Sequence, residues 1–183
     1  MCSVRYRNHH GRGPPAVGVV GQSVFNSWGA PMNSYTTTFS VDQSPEEVFA
    51  AINNVRGWWT GDIEGTTDQL GAEFTYRYED VHRSKQRITE LVPGTRVVWL
   101  VVDANLSFVE DKTEWNGTEI SFEIANNGDK TDLRFTHQGL VPEYECFENC
   151  SNAWSFYINS SLRDLITSGK GAPSPNEAPT SAR

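Results

Sequence analysis

Tyr144 to Ser168, with the sequence YECFENCSNAWSFYINSSLRDLITS, is the stretch whose reading decides the fold. Phe147, Cys150, Trp154, Ile158, Leu162 and Leu165 recur in it at three- and four-residue steps, which lays them along one side of a helix. Glu143, Glu145 and Glu148 gather at the positive end of its dipole, Arg163 and Lys170 at the negative end, and Gly169 is a plausible stop. A long helix with a wide apolar stripe has to be covered, and the preceding segments supply the cover.

Working back from the helix, segment after segment alternates with the period of a strand. Lys130–His137 places Leu133, Phe135 and His137 on one face. Thr118–Ala125 does the same with Ile120, Phe122 and Ile124, and Asn127-Gly128 supports a tight hairpin turn between the two. Arg96–Val102 is apolar on both faces, as suits a central strand, whereas Ser84–Val92 is polar, half-exposed and ends at a Pro93-Gly94 turn. In Ala72–Glu79, Phe74, Tyr76 and Tyr78 share a face. Asp103–Gly117 reads as a longer excursion that holds Leu106, Phe108 and Trp115. Nearer the start, Tyr35–Val41 is another alternating strand. Ser44-Pro45-Glu46-Glu47 then opens a helix: Ser44 caps, Pro45 suits the first helical position and Glu47 completes a capping box. Val48, Phe49 and Ile52 form the buried side of that helix, and Val55–Trp59 is a second short helix or turn. This order predicts an α+β fold in which a curved antiparallel sheet wraps a long C-terminal helix. A gap between the two, lined by aromatics, is a ligand pocket by default.

Composition narrows the function. The chain has 183 residues, 37% of them hydrophobic and 21% charged, with a formal net charge of −8. An acidic surface is a poor match for nucleic-acid phosphates or anionic membranes, so neither is expected as a partner. No apolar run reaches the ~18 residues of a membrane span. Cys2, Cys146 and Cys150 do not make a disulfide framework, and a cytoplasmic location is expected. Residues 1–32 carry Arg5, Arg7 and Arg12 but no acid, followed by a Gly- and Pro-rich run that packs poorly. They are read as a flexible leader, with Met32 as an alternative start. Residues 33–170 form the domain, and the Pro-containing residues 171–183 are read as a disordered tail.

Several motifs together resemble a known superfamily. They are Ser44-Pro45-Glu46-Glu47-Val48-Phe49 with Trp58-Trp59, then Thr89 to Trp99 (TELVPGTRVVW), then Glu114-Trp115-Asn116-Gly117-Thr118 running into Ile120 to Ile124. Phe135 to Pro142 (FTHQGLVP) follows, leading to Glu145-Cys146-Phe147 and Cys150-Ser151-Asn152-Ala153-Trp154. In order and spacing they resemble the SRPBCC superfamily, also called START-like or helix-grip. Within it they are similar to the bacterial branch named after the C-terminal domain of the activator of the ninety-kilodalton heat-shock chaperone ATPase. The resemblance implies the helix-grip fold. It also implies the range of roles found in the superfamily: binding of lipids, sterols and polyketides, cyclisation or dehydration of them, and chaperone association.

Candidate chemistry clusters on the face turned to the helix. His137 either donates to a ligand or acts as acid or base, or else is a packed histidine bonded to the backbone. Cys146 and Cys150, one helical turn apart, offer with His137 a weak zinc arrangement, a reactive thiol, or two small buried hydrophobes. His82 lies near a hairpin and Glu90 on the next strand falls on the side of Ile88 by alternation. That pair is either a general acid/base couple or a surface histidine and a salt-bridged glutamate. Trp58, Trp59, Trp99, Trp115 and Trp154 are core indoles or stacking platforms, and Tyr76 and Tyr78 bring hydroxyls. The candidate cavity residues are therefore Phe74, Tyr76, Tyr78, His82, Glu90, Trp99, Trp115, Phe122, Phe135, His137, Cys150, Trp154 and Ile158, with no resident metal or cofactor expected. The leading expectation is a protein that binds a small hydrophobic or aromatic ligand in that cavity. An enzyme using it for acid/base chemistry (cyclisation, dehydration or hydrolysis) with His137 and Glu90 as the acting groups, and a chaperone-associated interaction module with an unspecified protein partner, are the alternatives.

Overall fold

The computed structural model describes residues 34–173; the expectations for residues 1–32 and for the end of the tail lie outside them. Chain order is β1 (Ser34–Val41), α1 (Pro45–Asn53), a 3₁₀ turn (Val55–Gly57), β2 (Asp62–Gly65), β3 (Glu73–Tyr78), β4 (His82–Val92), β5 (Arg96–Leu106), β6 (Glu119–Asn127) and β7 (Lys130–Gln138). The C-terminal helix follows as α2 (Phe147–Phe156), a π-helical stretch (Tyr157–Leu162) and α3 (Arg163–Ser168). The seven strands form one antiparallel sheet in the order β1-β7-β6-β5-β4-β3-β2, curved around that helix. This is the predicted α+β helix-grip architecture.

Local chemistry accounts for most boundaries. At the start of α1 the Ser44 side chain accepts from the Glu47 amide and the Glu47 carboxylate accepts from the Ser44 amide at 2.8 Å, with Pro45 in the first turn. Such caps are worth about 1 kcal/mol. The β6–β7 hairpin closes on two loop residues, Gly128 and Asp129, between the paired Asn127 and Lys130. The helix ends where Gly169 turns left-handed (φ 77°) and its amide reaches back to the Leu165 carbonyl at 3.0 Å. Beyond it the chain stays against the core as far as Ala172, whose amide donates to Ser161 Oγ at 2.9 Å.

Two irregularities move side chains from where simple periodicity puts them. Ile88 pairs with Trp99 but Glu90 pairs with Val98, so a bulge at Thr89 reverses the alternation of β4. Glu90 therefore faces outward, opposite to Ile88, and sits 3.2 Å from Arg96 in a half-exposed ion pair. A second register shift, at Lys85/Gln86, lets β5 continue to Leu106. The predicted excursion thus begins after Leu106 rather than at Asp103. In the helix, Ile166 rather than Leu165 is the buried residue of the last turn. The i→i+5 turn adds one residue, which advances the stripe by one position.

The core lies between the concave sheet face and the helix. Trp58, Trp99, Trp154, Phe74, Phe122 and Phe135 are its largest fully buried side chains. Burying a large apolar side chain contributes about 1.5–3 kcal/mol each before conformational entropy is counted. Ser161 ties the widened turn to the rest by donating to the Trp58 carbonyl at 2.8 Å.

Candidate functional site

His137 ends the inner row of β7 and is completely buried. Its Nδ1 lies 3.0 Å from Trp154 Nε1 and its Nε2 lies 2.9 Å from Thr118 Oγ1. An indole N–H can only donate, so Nδ1 must be the accepting nitrogen and Nε2 carries the proton. That proton goes to Thr118 Oγ1, whose own hydroxyl donates to the Trp115 carbonyl at 2.7 Å. Both ring nitrogens of His137 are thus used, one accepting from Trp154 and one donating to Thr118. Burial, with His82 nearby, pushes the His137 imidazole down to about 3. Protonating it would set an Nδ1 proton against the Trp154 N–H. The residue is a neutral structural tie between sheet and helix, with no lone pair left for a metal or a reacting proton.

Past this tie, toward the β3–β4 hairpin, the sheet and helix separate around a cavity of about 200 Å³. Tyr76 and Tyr78 come from β3, Val81 and His82 from the hairpin and the start of β4, and Phe108 and Trp115 from the 107–118 loop. Trp59 closes the floor, and Asn149, Cys150, Ala153, Trp154 and Tyr157 face in from the helix. The rings are mutually braced: Trp59 stacks on Tyr76 at 4.1 Å, and Trp115 on Trp154 at 5.9 Å. His82 stands edge-on between Tyr76 (4.9 Å) and Trp115 (4.6 Å). Its Nε2 is enclosed and meets no hydrogen-bond partner in the protein. No Asp, Glu, Lys or Arg lines the cavity. Burial keeps three of its titratable groups neutral: it pushes His82 down to about 3, raises the Tyr76 phenol further above its usual range, and raises Tyr157 to about 12.

At the start of the helix a buried carboxylate does what a cap does elsewhere. Glu114 accepts from the Glu145 and Cys146 amides at 2.8 and 3.0 Å. Cys146 is buried beneath it, and the Cys150 thiol, then burial, then Glu114 push its thiol well above the usual range. It stays protonated at neutral pH and is a poor nucleophile. The zinc arrangement of Cys146, Cys150 and His137 is not assembled, because both His137 nitrogens are engaged. Among the described residues no group of three or more His, Cys, Asp or Glu could hold a metal ion.

Of the residues singled out from sequence, the structure brings Tyr76, Tyr78, His82, Trp115, Cys150 and Trp154 together on the cavity wall. Phe74, Trp99, Phe122, Phe135, Ile158 and His137 are buried in the packed core beside it, and Glu90 is on the outer face. His137 and Glu90 therefore cannot work as an acid/base pair, because they lie on opposite faces of the sheet. The sequence reading missed Tyr157, Asn149 and Ala153, which form a row one step around the helix from Cys150, Trp154 and Ile158. Their four-residue spacing was visible, but nothing marked which flank of the stripe would be uncovered. It also missed Val81 and Phe108, which flank the cavity while 37% and 41% exposed. Two large apolar side chains left in solvent are the signal that could have found them.

The fold and the cavity define a helix-grip protein whose sheet and C-terminal helix enclose an aromatic, uncharged pocket. Residues 42–167 match the family model described as Activator of Hsp90 ATPase homolog 1-like protein, and the chain belongs to that family. Among solved structures, the Aha1 dimer from Colwellia psychrerythraea is similar at 27% identity and a TM-score of 0.61, covering 76% of this chain and 100% of that one. CalU16 from Micromonospora echinospora is similar in fold, with 18% identity and a TM-score of 0.57 over 79% of this chain and 72% of that one. DynU16, a putative protein in the dynemicin biosynthetic locus, shares the fold at 14% identity and a TM-score of 0.56, over 78% of this chain and half of that one. No curated protein gives a significant sequence match. No helix among the described residues is long and apolar enough to cross a membrane.

Proposed function

We propose that this protein binds a small hydrophobic or aromatic molecule in the cavity between β3–β4 and the C-terminal helix. The observation that carries this reading is a pocket of about 200 Å³ walled by seven tryptophan, tyrosine and phenylalanine rings, with no charged side chain on it. A void of about 150 Å³ already admits benzene when its walls are apolar, so one or two rings fit here. The acid/base alternative loses its two named residues to the structure, His137 to a saturated hydrogen-bond chain and Glu90 to the outer face. A protein-interaction module would show a broad apolar surface. Among the described residues the exposed large hydrophobics are Leu70, Val81, Val92 and Phe108, and two of these belong to the cavity.

Thermal denaturation of the full chain with a panel of neutral one- and two-ring aromatics tests this. A ligand present at about 100 times its Kd adds about 2.7 kcal/mol, which raises Tm by about 5–10 °C in a domain of this size. No shift with any member of the panel overturns the reading.

A further inference from the structure

We infer that the cavity selects an uncharged aromatic ring bearing a hydroxyl group, and that His82 Nε2 is the atom that reads the hydroxyl. This deepens the ligand-binding reading and rests on it.

The geometry points to His82 because two enclosed atoms on the wall lack a hydrogen-bond partner in the protein, His82 Nε2 and Trp115 Nε1, and of these only the imidazole nitrogen can accept as well as donate. Its Nε2 is sealed from solvent with nothing to bond. Its ring stands edge-on to Tyr76 and Trp115 at 4.9 and 4.6 Å, on the wall of the cavity. A buried nitrogen left in that state is costly, and a suitable ligand atom recovers the cost. The other histidine of this face shows the contrast, with both of its nitrogens bonded.

The chemistry of the ligand follows from the surroundings. Charge is excluded because no Lys or Arg lines the cavity to pair with a carboxylate, and no Asp or Glu to pair with an amine. The imidazole does not supply the missing cation, since burial keeps it neutral at physiological pH. A neutral imidazole presents at Nε2 either a proton or a lone pair, depending on tautomer. A hydroxyl satisfies both, whereas a ketone or an ether satisfies only one. The remaining wall is ring faces and edges from Trp59, Tyr76, Trp115 and Trp154, which favour a partner that is itself aromatic.

The test compares three probes of one shape, naphthalene, 2-naphthol and 2-naphthoate, in NMR titrations of the full chain near neutral pH. The expected result is 2-naphthol binding about ten-fold tighter than naphthalene, as one recovered hydrogen bond gives, with 2-naphthoate weaker than either. His82→Phe keeps a ring and removes the nitrogen, so the ratio of 2-naphthol to naphthalene affinity should fall from about ten to about one. Equal binding of the two probes by the natural protein, or a preference that survives His82→Phe, overturns the inference while leaving the cavity reading intact. Failure of all three probes to bind overturns both. Should His82→Phe not fold, the natural protein labelled with ¹⁵N-histidine decides: 2-naphthol should move the His82 Nε2 resonance and naphthalene should not, and the absence of that difference overturns the inference.

Discussion

Two neighbouring places on the concave face, on either side of one indole, hold the same residue type in nearly the same surroundings and use it in opposite ways. His82 and His137 both point inward and both are pushed down to about 3 by burial. They even flank the same ring, each edge-on to Trp115 at 4.6 Å. The difference is in partners. His137 gives and receives one hydrogen bond each and locks sheet to helix. His82 has an enclosed nitrogen with none and borders empty space. A depressed imidazole pKa therefore does not mark a functional site here, since it accompanies both. What separates the two is whether the ring's polar atoms are already satisfied by the protein.

The largest blow to the tie is Trp154→Ala, which removes a buried indole, its bond to His137 and part of the cavity wall together. Its expected cost is about 3–5 kcal/mol, read from urea denaturation of the variant beside the natural protein. A loss under about 1 kcal/mol would mean that the tie and the packing around it carry little. Thr118→Val is subtler, because it keeps the volume and strands the His137 Nε2 proton, while the Trp115 carbonyl keeps its bond from the Thr118 amide. About 1–3 kcal/mol should go, with affinity for aromatic probes unchanged, and a neutral substitution would contradict the directional chain drawn above.

Acid should act on both histidines, and on the tie through His137. The folded value for His137 lies below its ordinary 6.5, so below pH 6.5 the unfolded chain takes up a proton that the native state refuses. Stability is complete above 6.5 and declines as pH falls from there toward 3, by about 1.4 kcal/mol per pH unit from this residue. In the folded protein the His137 ring resonances should stay fixed between pH 8 and 5, and a midpoint near 6.5 would contradict the tie. The smallest effect belongs to Glu90→Gln on the outer face. Breaking its half-exposed pair with Arg96 should cost no more than about 0.5 kcal/mol and leave probe binding as it was, and a measurable change in affinity would return Glu90 to the site.

Much of the fold was legible in the residues because it follows from local period and local hydrogen bonding. The capping box at Ser44 and Glu47, the alternation of Leu133, Phe135 and His137, the Asn127-Gly128 turn and the Cys150–Trp154–Ile158 stripe each need only near neighbours in the chain. The site was legible in part, since Tyr76, Tyr78, His82, Trp115, Cys150 and Trp154 do meet around the cavity. Glu90 shows why the rest was not. Alternation is reliable only until a strand gains one unpaired residue, and the extra residue at Thr89 is fixed by how β4 must bend to pair with β5. Nor could spacing say which histidine would be satisfied, because the partners of His137 come from Thr118 and Trp154, 19 and 17 residues away in the chain.

By itself the sequence determined the kinds of element, their order and which faces are apolar, because those depend on side-chain period and on capping residues within a turn or two. Only the tertiary structure decided where the sheet and helix close on each other and where they part. That depends on the summed volumes of Trp58, Trp59, Trp99, Trp115 and Trp154 packed against each other, and on one widened helical turn that shifts the stripe. Volume and hydrogen-bond satisfaction are properties of the assembled interior, and they leave His137 sealed while His82 still lacks a partner.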